Sequence, residues 1–336
     1  MKLLDCTLRD GGYTNKWNFS KEQVRENYTA CVSSNIEYCE IGFVRTKPDP
    51  DFGPWYHTTE KLISDTLGDL VVPERTKIVT MAQMGTFSLS DFVPKKDSIV
   101  SMVRVLIAYH CKDKNDADLD IELIYETANT CKQLKEMGYE VTVNVGRVDK
   151  MSDEQIVEVC KIMSAGCEDL DYLYVADTYG NLGMVKVKQI LELLKNNYSG
   201  KIGFHAHDNL LNATVKSIDA WYNGADIVDG TIGGLGRGSG NAKTELLIAH
   251  MLMKKDLRYG LFPVLEYGEK WIGTYKKNHV LYFITGMYSM HVNYAIELIE
   301  TYDLPFSRCY EILIKIVEEN KHHFFDAKLL KQLCAV

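Results

Sequence analysis

Residues 201–208, with the sequence KIGFHAHD, decide the fold class of this chain. A short apolar run ends there in two histidines, His205 and His207, which stand two positions apart. Because successive side chains of a β-strand point to opposite faces, both imidazoles project from the same face and can share one ion. The stretch therefore predicts a buried strand with a pair of metal-binding side chains at its carboxyl end.

Further runs of the same kind occur throughout the first 234 residues, and a stretch with helical periodicity follows each of them. The eight predicted strands cover residues 2–7, 36–43, 77–82, 102–108, 139–145, 172–176, 201–207 and 226–231. Alternating strands and helices are typical of parallel βαβ units, and eight such units close a barrel. Helix starts are predicted at Ser20, at Ser152 and, in a less periodic segment, at Ser88 or Asp91. The predicted fold is an α/β TIM (β/α)8 barrel.

The 336 residues exceed what one barrel needs. Barrels of this kind usually hold about 250 residues in a single domain. The strand pattern ceases after Leu257, and the region that follows has helical periodicity and many aromatic residues. We expect residues 1–255 to form the barrel and residues 256–336 to form a C-terminal helical extension that packs on it or reaches over it.

Composition and charge argue against several classes of protein. With 46% hydrophobic and 25% charged residues, the chain has the profile of a soluble globular protein. Its 46 acidic residues exceed its 38 basic ones, and it lacks the sustained Lys and Arg runs that bind a phosphate backbone. We therefore expect no nucleic-acid partner. No apolar run approaches the roughly 18 residues that span a bilayer, so we expect no membrane association and a cytoplasmic location.

Nine cysteines are scattered along the chain without a Cys-x-x-Cys pair. An odd number in a chain of this length argues against a disulfide framework, and the spacing argues against a zinc site built from thiolates. Cys6 ends a predicted strand close to polar groups and could be a nucleophile. Packing in the core is the preferred interpretation for Cys6 as for the others.

The chemistry of such a barrel lies where strands end and the following loops begin. The predicted strand ends carry polar side chains, which are Arg9, Asp10, Glu40, Asp177, Thr178, His205 and His207. The first and last strands of a closed barrel lie near each other, so Asp10 can add a carboxylate to the two imidazoles. Such a set, without thiolates, favours Mg²⁺ or Mn²⁺ over structural zinc. The alternative is that one of the histidines only forms a hydrogen bond in the core.

A glycine-rich loop follows the eighth predicted strand. Six of the eleven residues 230–240 are glycine, which lets backbone groups such as those of Gly236 and Gly238 approach a ligand closely. Asn241 follows at a predicted helix start and could supply a further metal ligand, while the loop itself could act as a movable lid. The alternative is a set of plain turns.

These motifs together resemble the DRE-TIM metallolyases, a barrel family that includes 3-hydroxy-3-methylglutaryl-CoA lyase, isopropylmalate synthase and 4-hydroxy-2-oxovalerate aldolase. The resemblance rests on LRDG at 8–11, Glu40 within 36–43, DTYG at 177–180, HAH at 205–207 and the glycine loop that ends in Asn241. It implies that Asp10, His205 and His207 bind a divalent ion, either Mn²⁺ or Mg²⁺. It also implies that Asn241 is a further or nearby ligand and that Arg9 is catalytic and faces the keto oxygen of the substrate.

Within this family the motifs resemble those of the pyruvate-forming aldolases. The glycine loop has neither the Glu-Arg pair of the acyl-CoA synthases nor the cysteine of the CoA lyase. Residues 286–289, GMYS, resemble an aldolase segment whose tyrosine reaches the site, which implies a catalytic role for Tyr288, with a core aromatic as the alternative. The expected substrate contacts are Arg9, Glu40, Thr178, Gly236 and Gly238.

Tyr13 stands where these aldolases place a catalytic histidine, just after the Arg-Asp-Gly motif. A tyrosine with an ordinary pKa near ~10 is a poorer base at neutral pH than a histidine. Tyr13 is therefore one of several candidates for the catalytic base. The proton acceptor is left open between Tyr13, a metal-bound water and a side chain of the extension such as His291.

The resemblance implies reversible aldol cleavage of a 4-hydroxy-2-oxo acid to pyruvate and an aldehyde by a carbon–carbon lyase. One alternative is a Claisen-type condensation of an acyl-CoA with a 2-oxo acid, as in isopropylmalate or homocitrate synthases. Another is a non-catalytic barrel whose extension binds a partner protein. The expected partners are the small-molecule 2-oxo acid and aldehyde, together with an aldehyde-consuming dehydrogenase, and we expect a homo-oligomer.

Overall fold

The computed structural model describes residues 2–112, 118–273, 280–302 and 304–335. Its centre is a closed barrel of eight parallel strands arranged in chain order. The strands are β1 (Lys2–Asp5), β2 (Tyr38–Phe43), β3 (Lys77–Gln83), β4 (Val100–Ile107), β5 (Glu140–Val145), β6 (Tyr172–Asp177), β7 (Ile202–Ala206) and β8 (Ile227–Gly230). The barrel closes because β1 pairs with both β2 and β8. The predicted TIM (β/α)8 fold is confirmed.

Helices pack around the barrel and follow it in the chain. The helices that accompany the strands are α1 (Thr7–Asn15), α2 (Lys21–Ser33), α3 (Glu60–Leu67), α4 (Ile121–Glu136), α5 (Asp153–Gly166), α6 (Met184–Asn197), α7 (Ala213–Tyr222) and α8 (Thr244–Met253). Those that come later are α9 (Phe262–Tyr267), α10 (Val280–Met287), α11 (Asn293–Glu300), α12 (Phe306–Glu318) and α13 (Ala327–Cys334). Contacts of α4 with α5, of α5 with α6 and of α6 with α7 form the outer ring expected of this fold.

The helix starts predicted at Ser20 and Ser152 are confirmed, since each serine forms a reciprocal capping box with the glutamine three residues later. The helix predicted from Ser88 or Asp91 is wrong. Two single 3-10 turns, Leu89–Asp91 and Lys95–Asp97, connect β3 to β4 instead. Pro94 lies between these turns and has no amide hydrogen to donate, so a helix cannot run through the segment.

The first predicted strand is too long at its carboxyl end. Because β1 ends at Asp5, Arg9 and Asp10 lie on the first turns of α1 rather than in a loop. Glycine disfavours a helix by about 1 kcal/mol relative to alanine, so the two glycines after Asp10 gave no reason to predict a helix there. Close packing requires the glycine, because a Cβ at Gly12 would lie 2.2 Å from Cδ1 of Trp17. The helix thus fixes Arg9 and Asp10 more rigidly than a loop would.

The predicted extension contributes to two separate hydrophobic cores. The core of the barrel continues through Val264 and Tyr267 of α9 to Ile272, and α9 packs on α2. A separate core of buried residues then joins helices α10 to α13, from Leu281 to Leu333. The domain boundary at residue 255 stays a prediction, whereas the change of packing partner falls between Ile272 and Leu281.

Two smaller expectations can be compared with the structure. The nine cysteines, all within the described residues, form no disulfide bond with one another, as predicted, and Cys6 is completely buried. Among the helices of the described ranges, none is both long and apolar enough to cross a bilayer.

Candidate active site

A cavity of about 220 Å³ opens beyond the carboxyl ends of the barrel strands. It lies where enzymes of this fold carry out their chemistry. The polar side chains on its walls include Arg9, Asp10, Tyr13, Thr178, His205, His207, Arg237 and His291. His291 and Val292 come from the C-terminal helical region, so this region forms part of the wall. Barrel and extension therefore build the site together.

The structure brings Asp10 into contact with His205 of β7, and His207 follows directly after the strand. Oδ2 of Asp10 lies 3.4 Å from Nε2 of His205, and the ring centroids of His205 and His207 are 5.0 Å apart. Nδ1 of His207 lies 3.3 Å from the carbonyl oxygen of Gly240. In the neutral imidazole this Nδ1 donates to the carbonyl, which leaves the lone pair on Nε2.

These three groups have shifted pKa values. Burial lowers the pKa of His207 to about 3, so its imidazole is neutral at pH 7. Burial would raise the pKa of Asp10, but the positive charge of Arg9 and the hydrogen bond with His205 outweigh it and lower that pKa. Burial also opposes a charge on His205, yet the hydrogen bonds to Asp10 and Asp229 raise its pKa on balance. An ionised carboxylate and a neutral imidazole are the forms that bind metal ions.

Cys6 is a further potential ligand beside Asp10 and His205. One ligand atom from each of these three residues lies within 4.8 Å of the others, a spacing that could hold a metal ion. The thiol of Cys6 donates to the carbonyl oxygen of Gly230 at 3.4 Å, and burial raises its pKa well above the usual value. Because only the thiolate is a good ligand, the chemistry favours His207 as the third ligand.

The buried carboxylate of Glu40 fixes the side chain of Arg9. Its Nε donates to Oε2 of Glu40 at 2.7 Å, and its Nη1 lies 3.3 Å from Oδ1 of Asp10. The indole of Trp17 donates to the carbonyl oxygen of Arg9 at 2.8 Å, which fixes the backbone. Glu40 is completely buried and does not line the cavity. The structure therefore gives Glu40 the role of supporting Arg9 instead of the predicted substrate contact.

Arg104 on β4 and Asp229 on β8 extend these contacts across the inside of the barrel. Arg104 donates to Oε2 of Glu40 at 3.0 Å and to Oδ2 of Asp229 at 2.6 Å. The same Asp229 oxygen lies 2.9 Å from Nδ1 of His205. The result is a buried charge ring, whose members are Arg9, Glu40, Arg104, Asp229, His205 and Asp10. Sequence analysis missed Arg104 and Asp229, although each is the single charged residue of its strand.

Asn241 lies beside His207. The helix start predicted at Asn241 is wrong. Helix α8 begins three residues later, and Asn241 pairs with His207 in an isolated antiparallel bridge. Its Nδ2 donates to the carbonyl oxygen of Leu235 at 3.2 Å. Its Oδ1 is buried and accepts no hydrogen bond from the described residues. This buried oxygen therefore remains available to a ligand.

The glycine loop folds back on itself. Gly240 has φ of 91°, and a Cβ there would lie 1.8 Å from the carbonyl oxygen of Gly234, so no other residue fits. Gly236 and Gly238 line an adjoining cavity of about 570 Å³ and not the smaller one. Tyr13 and Arg237 line both cavities. The predicted substrate contacts of the two glycines would therefore require a ligand that extends into the adjoining cavity.

Two of the predicted proton acceptors lie at the cavity. Burial raises the pKa of the Tyr13 hydroxyl, so this group is a hydrogen-bond donor and not a base at neutral pH. Burial, together with the charges of Arg237 and Arg147, lowers the pKa of His291 to about 3, so its imidazole is neutral. The backbone amide of Asn293 donates to Nδ1 of His291 at 3.3 Å and orients the ring.

Tyr288 does not face the cavity in the described part of the chain. It is partly buried against the second hydrophobic core, the one shared by α10 to α13. Ser289 follows with a φ of 51°, and this turn precedes the entry of His291 and Val292 into the cavity wall. The extension thus reaches the site, but through His291 rather than through the predicted Tyr288.

The chain is similar to one protein family and to several named enzymes. Residues 1–264 match the family model described as HMGL-like. A 4-hydroxy-2-oxovalerate aldolase from Geobacillus genomosp. 3 is 28% identical over 273 residues, which are 80% of this chain and 76% of the relative. An oxaloacetate decarboxylase from Mycobacterium tuberculosis is 26% identical over 260 residues, 74% of this chain and 68% of the relative. A solved hydroxymethylglutaryl-CoA lyase from Pseudomonas aeruginosa has a TM-score of 0.67 at 14% identity, covering 82% and 93% of the two chains, which speaks for the fold alone.

Proposed function

The chain belongs to the HMGL-like family, and on this premise we propose that it is a divalent-metal-dependent aldolase. It reversibly cleaves a 4-hydroxy-2-oxo acid to pyruvate and an aldehyde. The observation that carries the proposal is the position of Arg9, whose guanidinium group is fixed by Glu40 beside Asp10 and at the wall of the cavity. A fixed positive charge next to a set of metal ligands suits a reaction that develops negative charge on a keto oxygen.

The residues present fit a divalent metal ion. Asp10, His205 and His207 would hold it, with Asn241 as a further ligand. The ionised Asp10, the neutral His207 and the buried Oδ1 of Asn241 without a hydrogen-bond partner among the described residues support this choice. Oxygen and imidazole ligands favour Mg²⁺ or Mn²⁺. When bound, the ion would act as a Lewis acid for the keto and carboxylate oxygens of the substrate.

Arg9 and Thr178 bind the 2-oxo acid in this proposal. The guanidinium group of Arg9 donates to the keto oxygen and stabilises the negative charge that forms there when the C3–C4 bond breaks. The hydroxyl of Thr178 accepts a hydrogen bond from the amide of Arg147 at 2.7 Å, and its own hydrogen has only a long 3.5 Å contact, with the carbonyl oxygen of Ala176. Thr178 can therefore donate to the substrate carboxylate.

Proton transfer falls to His291 and Tyr13. In cleavage the 4-hydroxyl loses its proton, the C3–C4 bond breaks, and C3 of the resulting pyruvate enolate gains a proton, so no oxidant or reductant is needed. His291 is neutral and accepts the hydroxyl proton on Nδ1, where the substrate hydroxyl replaces the long contact with the Asn293 amide. The protonated Tyr13 donates a hydrogen bond to the same substrate oxygen. This assignment gives the extension a direct part in the reaction.

Decarboxylation of oxaloacetate is a second candidate, because one relative bears that name. It would form the same pyruvate enolate beside Arg9 and the same metal ligands. It needs no base for a 4-hydroxyl group and no space for an aldehyde. The presence of His291 at a cavity that continues into a second one favours the aldol reaction.

Several sequence expectations stay predictions within this proposal. They are the cytoplasmic location, the homo-oligomer and the aldehyde-consuming dehydrogenase as a partner. The Claisen-type condensation stays the alternative to the aldol reaction, and it shares Arg9 and the metal ligands. Release of free CoA from acetyl-CoA in the presence of 2-oxo acids would reveal it.

The direct assay supplies 4-hydroxy-2-oxopentanoate and Mg²⁺ or Mn²⁺ to the purified protein and couples pyruvate release to lactate dehydrogenase. We expect turnover that EDTA abolishes and that added metal ion restores. Oxaloacetate in a parallel reaction tests the second candidate. Absence of pyruvate from a panel of 4-hydroxy-2-oxo acids, combined with decarboxylation of oxaloacetate, would overturn the aldolase proposal.

A further inference from the structure

Positive charge dominates the wall of the site cavity. Among the described residues that line it, Asp10 is the sole carboxylate, whereas Arg9, Arg147 and Arg237 are three guanidinium groups. Arg9 and Asp10 belong to the buried charge ring, where Glu40 also contributes a negative charge. Arg147 and Arg237 are the other two guanidinium groups of the wall. Both have contacts with the extension, so they lie on the side of the cavity that the extension closes.

Arg237 belongs to the glycine loop and is half-buried. Its Nη2 donates to Oδ1 of Asn293 at 2.7 Å and lies 3.4 Å from both ring nitrogens of His291. Its Cζ is 5.6 Å from the ring centroid of Tyr13. These neighbours orient the guanidinium group, but they are uncharged and do not neutralise it.

Arg147 follows β5 and is only 1% exposed, although it lines the cavity. Its Cζ lies 4.8 Å from the ring centroid of Phe324 in the extension and 5.2 Å from that of Tyr109. The residue has φ of 56°, a left-handed backbone conformation that costs a non-glycine residue roughly 1 kcal/mol and is often found at functional sites. Aromatic packing and a fixed backbone thus hold a cation at the cavity wall.

We propose that Arg147 and Arg237 bind an anionic group, a carboxylate or a phosphate, at the far end of the aldehyde substrate. The inference rests on the proposed aldolase function, in which the 2-oxo acid occupies the side of the buried charge ring. Guanidinium groups match the geometry of both anions. The adjoining cavity of about 570 Å³, which Arg237 also lines, provides room for an aldehyde longer than two carbons.

The same arrangement couples binding to proton transfer. Arg237 and Arg147 both act on His291 and disfavour its protonation. An anion bound to the two arginines offsets their charge, so His291 accepts a proton more readily when the anionic aldehyde is present. The anion should therefore increase kcat as well as lower KM.

The test compares matched aldehydes in the condensation with pyruvate and Mg²⁺. Succinic semialdehyde is paired with butanal, and glyceraldehyde 3-phosphate with glyceraldehyde. We expect kcat/KM for at least one anionic aldehyde to exceed that of its neutral partner by about 100-fold, because charge-assisted hydrogen bonds to a buried guanidinium group are strong. The member that is preferred identifies the anion as a carboxylate or a phosphate.

Variants assign the effect to the two arginines. Arg147→Gln and Arg237→Gln should each lower kcat/KM for the preferred anionic aldehyde by roughly 10- to 100-fold. Neither should lower it for the neutral partner, because loss of an arginine charge makes protonation of His291 easier. Arg237→Gln changes a half-buried loop residue, so it keeps the test valid if Arg147→Gln fails to fold. Arg258→Gln is the matched control, because Arg258 pairs with Asp256 on the surface and lies outside both cavities.

The outcomes separate this inference from the proposed function. Exchange of the pyruvate methyl protons in D₂O, measured without any aldehyde, reports on enolate formation alone. Exchange combined with equal or better use of neutral aldehydes would overturn the anion site and leave the aldolase proposal standing. A preference for anionic aldehydes that persists in both arginine variants would also overturn it. Failure of both exchange and condensation would overturn the two proposals together.

Discussion

The two sides of the cavity are built in different ways. On the barrel side, the buried charge ring joins side chains from α1, β2, β4, β7 and β8 through ion pairs. On the extension side, Arg147, Arg237 and His291 sit on loops and contact aromatic rings or amides. Each charge of the ring meets an opposite charge. On the extension side, Arg237 contacts the uncharged His291 and Asn293, and Arg147 packs on the aromatic rings of Tyr109 and Phe324. The barrel side is thus suited to one fixed reaction step and the extension side to the choice of substrate.

The largest effect is expected from Arg9→Ala. Loss of the group that stabilises the enolate should lower turnover by about 10³-fold, by analogy with the removal of an oxyanion donor. Metal affinity should change only a few-fold, because the substitution leaves Asp10, His205 and His207 in place. Steady-state kinetics and calorimetric Mn²⁺ titration measure the two quantities. Equal kinetics of variant and wild type would remove Arg9 from the mechanism.

The next largest effect is expected from Arg104→Met, which should lower the free energy of unfolding. It leaves the carboxylates of Glu40 and Asp229 buried without their shared cation, a loss of about 3–5 kcal/mol in the free energy of unfolding. Metal affinity should also fall by roughly 10- to 100-fold, because Asp229 orients His205. Urea unfolding checks the first effect and metal titration the second.

Lys77→Met is the control for this change, because Lys77 pairs with Glu140 near the other end of the barrel and both side chains are partly exposed. We expect it to cost less than about 1 kcal/mol. A similar cost for the Lys77 and Arg104 variants would contradict the special role of the buried charge ring.

His291→Ala and Tyr288→Phe compare two residues of the extension. We expect the histidine variant to lose about 100-fold in aldol cleavage, the lower limit for a general base. Tyr288→Phe should remain within a few-fold of wild type, because Tyr288 packs in the second hydrophobic core. Pyruvate release in the coupled assay measures both. The reverse ranking would restore the role that the sequence resemblance assigned to Tyr288.

The smallest effect concerns Asp5, a barrel carboxylate outside the ring. Burial raises its pKa to about 6 from 3.8, so the folded state binds the proton more tightly than the unfolded state. The stability from the bound proton is complete below pH 3.8 and is lost as the pH rises through 6. Asp5→Asn should therefore increase the free energy of unfolding by about 2 kcal/mol at pH 8, with little gain at pH 4. Urea titrations at the two pH values check this, and a gain that is equal at both would refute it.

The sequence was sufficient for the barrel and for the position of Asp10, His205 and His207 at its cavity. Strand periodicity located eight strands, and the spacing of His205 and His207 placed both imidazoles on one face, because these signals are local. The contact of Arg104 with Asp229 joins residues 125 positions apart and depends on the register of the strands across the barrel. No local pattern reports such a contact.

The extension was harder to predict for a different reason. Its helices bury apolar faces against one another, and the rotation of each helix depends on packing that the sequence does not display. A resemblance in four residues selected Tyr288, whereas the turn at Ser289 brings His291 to the cavity. Helix α1 was missed as well, because a glycine such as Gly12 suggests a loop in the sequence. In the structure this glycine allows close packing on Trp17.

Exchange of the pyruvate methyl protons in D₂O tests the central claim most directly, namely that the fixed guanidinium group of Arg9 stabilises a pyruvate enolate. Proton NMR follows the signal with Mg²⁺ and without any aldehyde. We expect exchange that EDTA abolishes and that Arg9→Ala slows by at least about 100-fold. Metal-loaded wild-type protein without exchange, or an Arg9→Ala variant that exchanges at the wild-type rate, would contradict it.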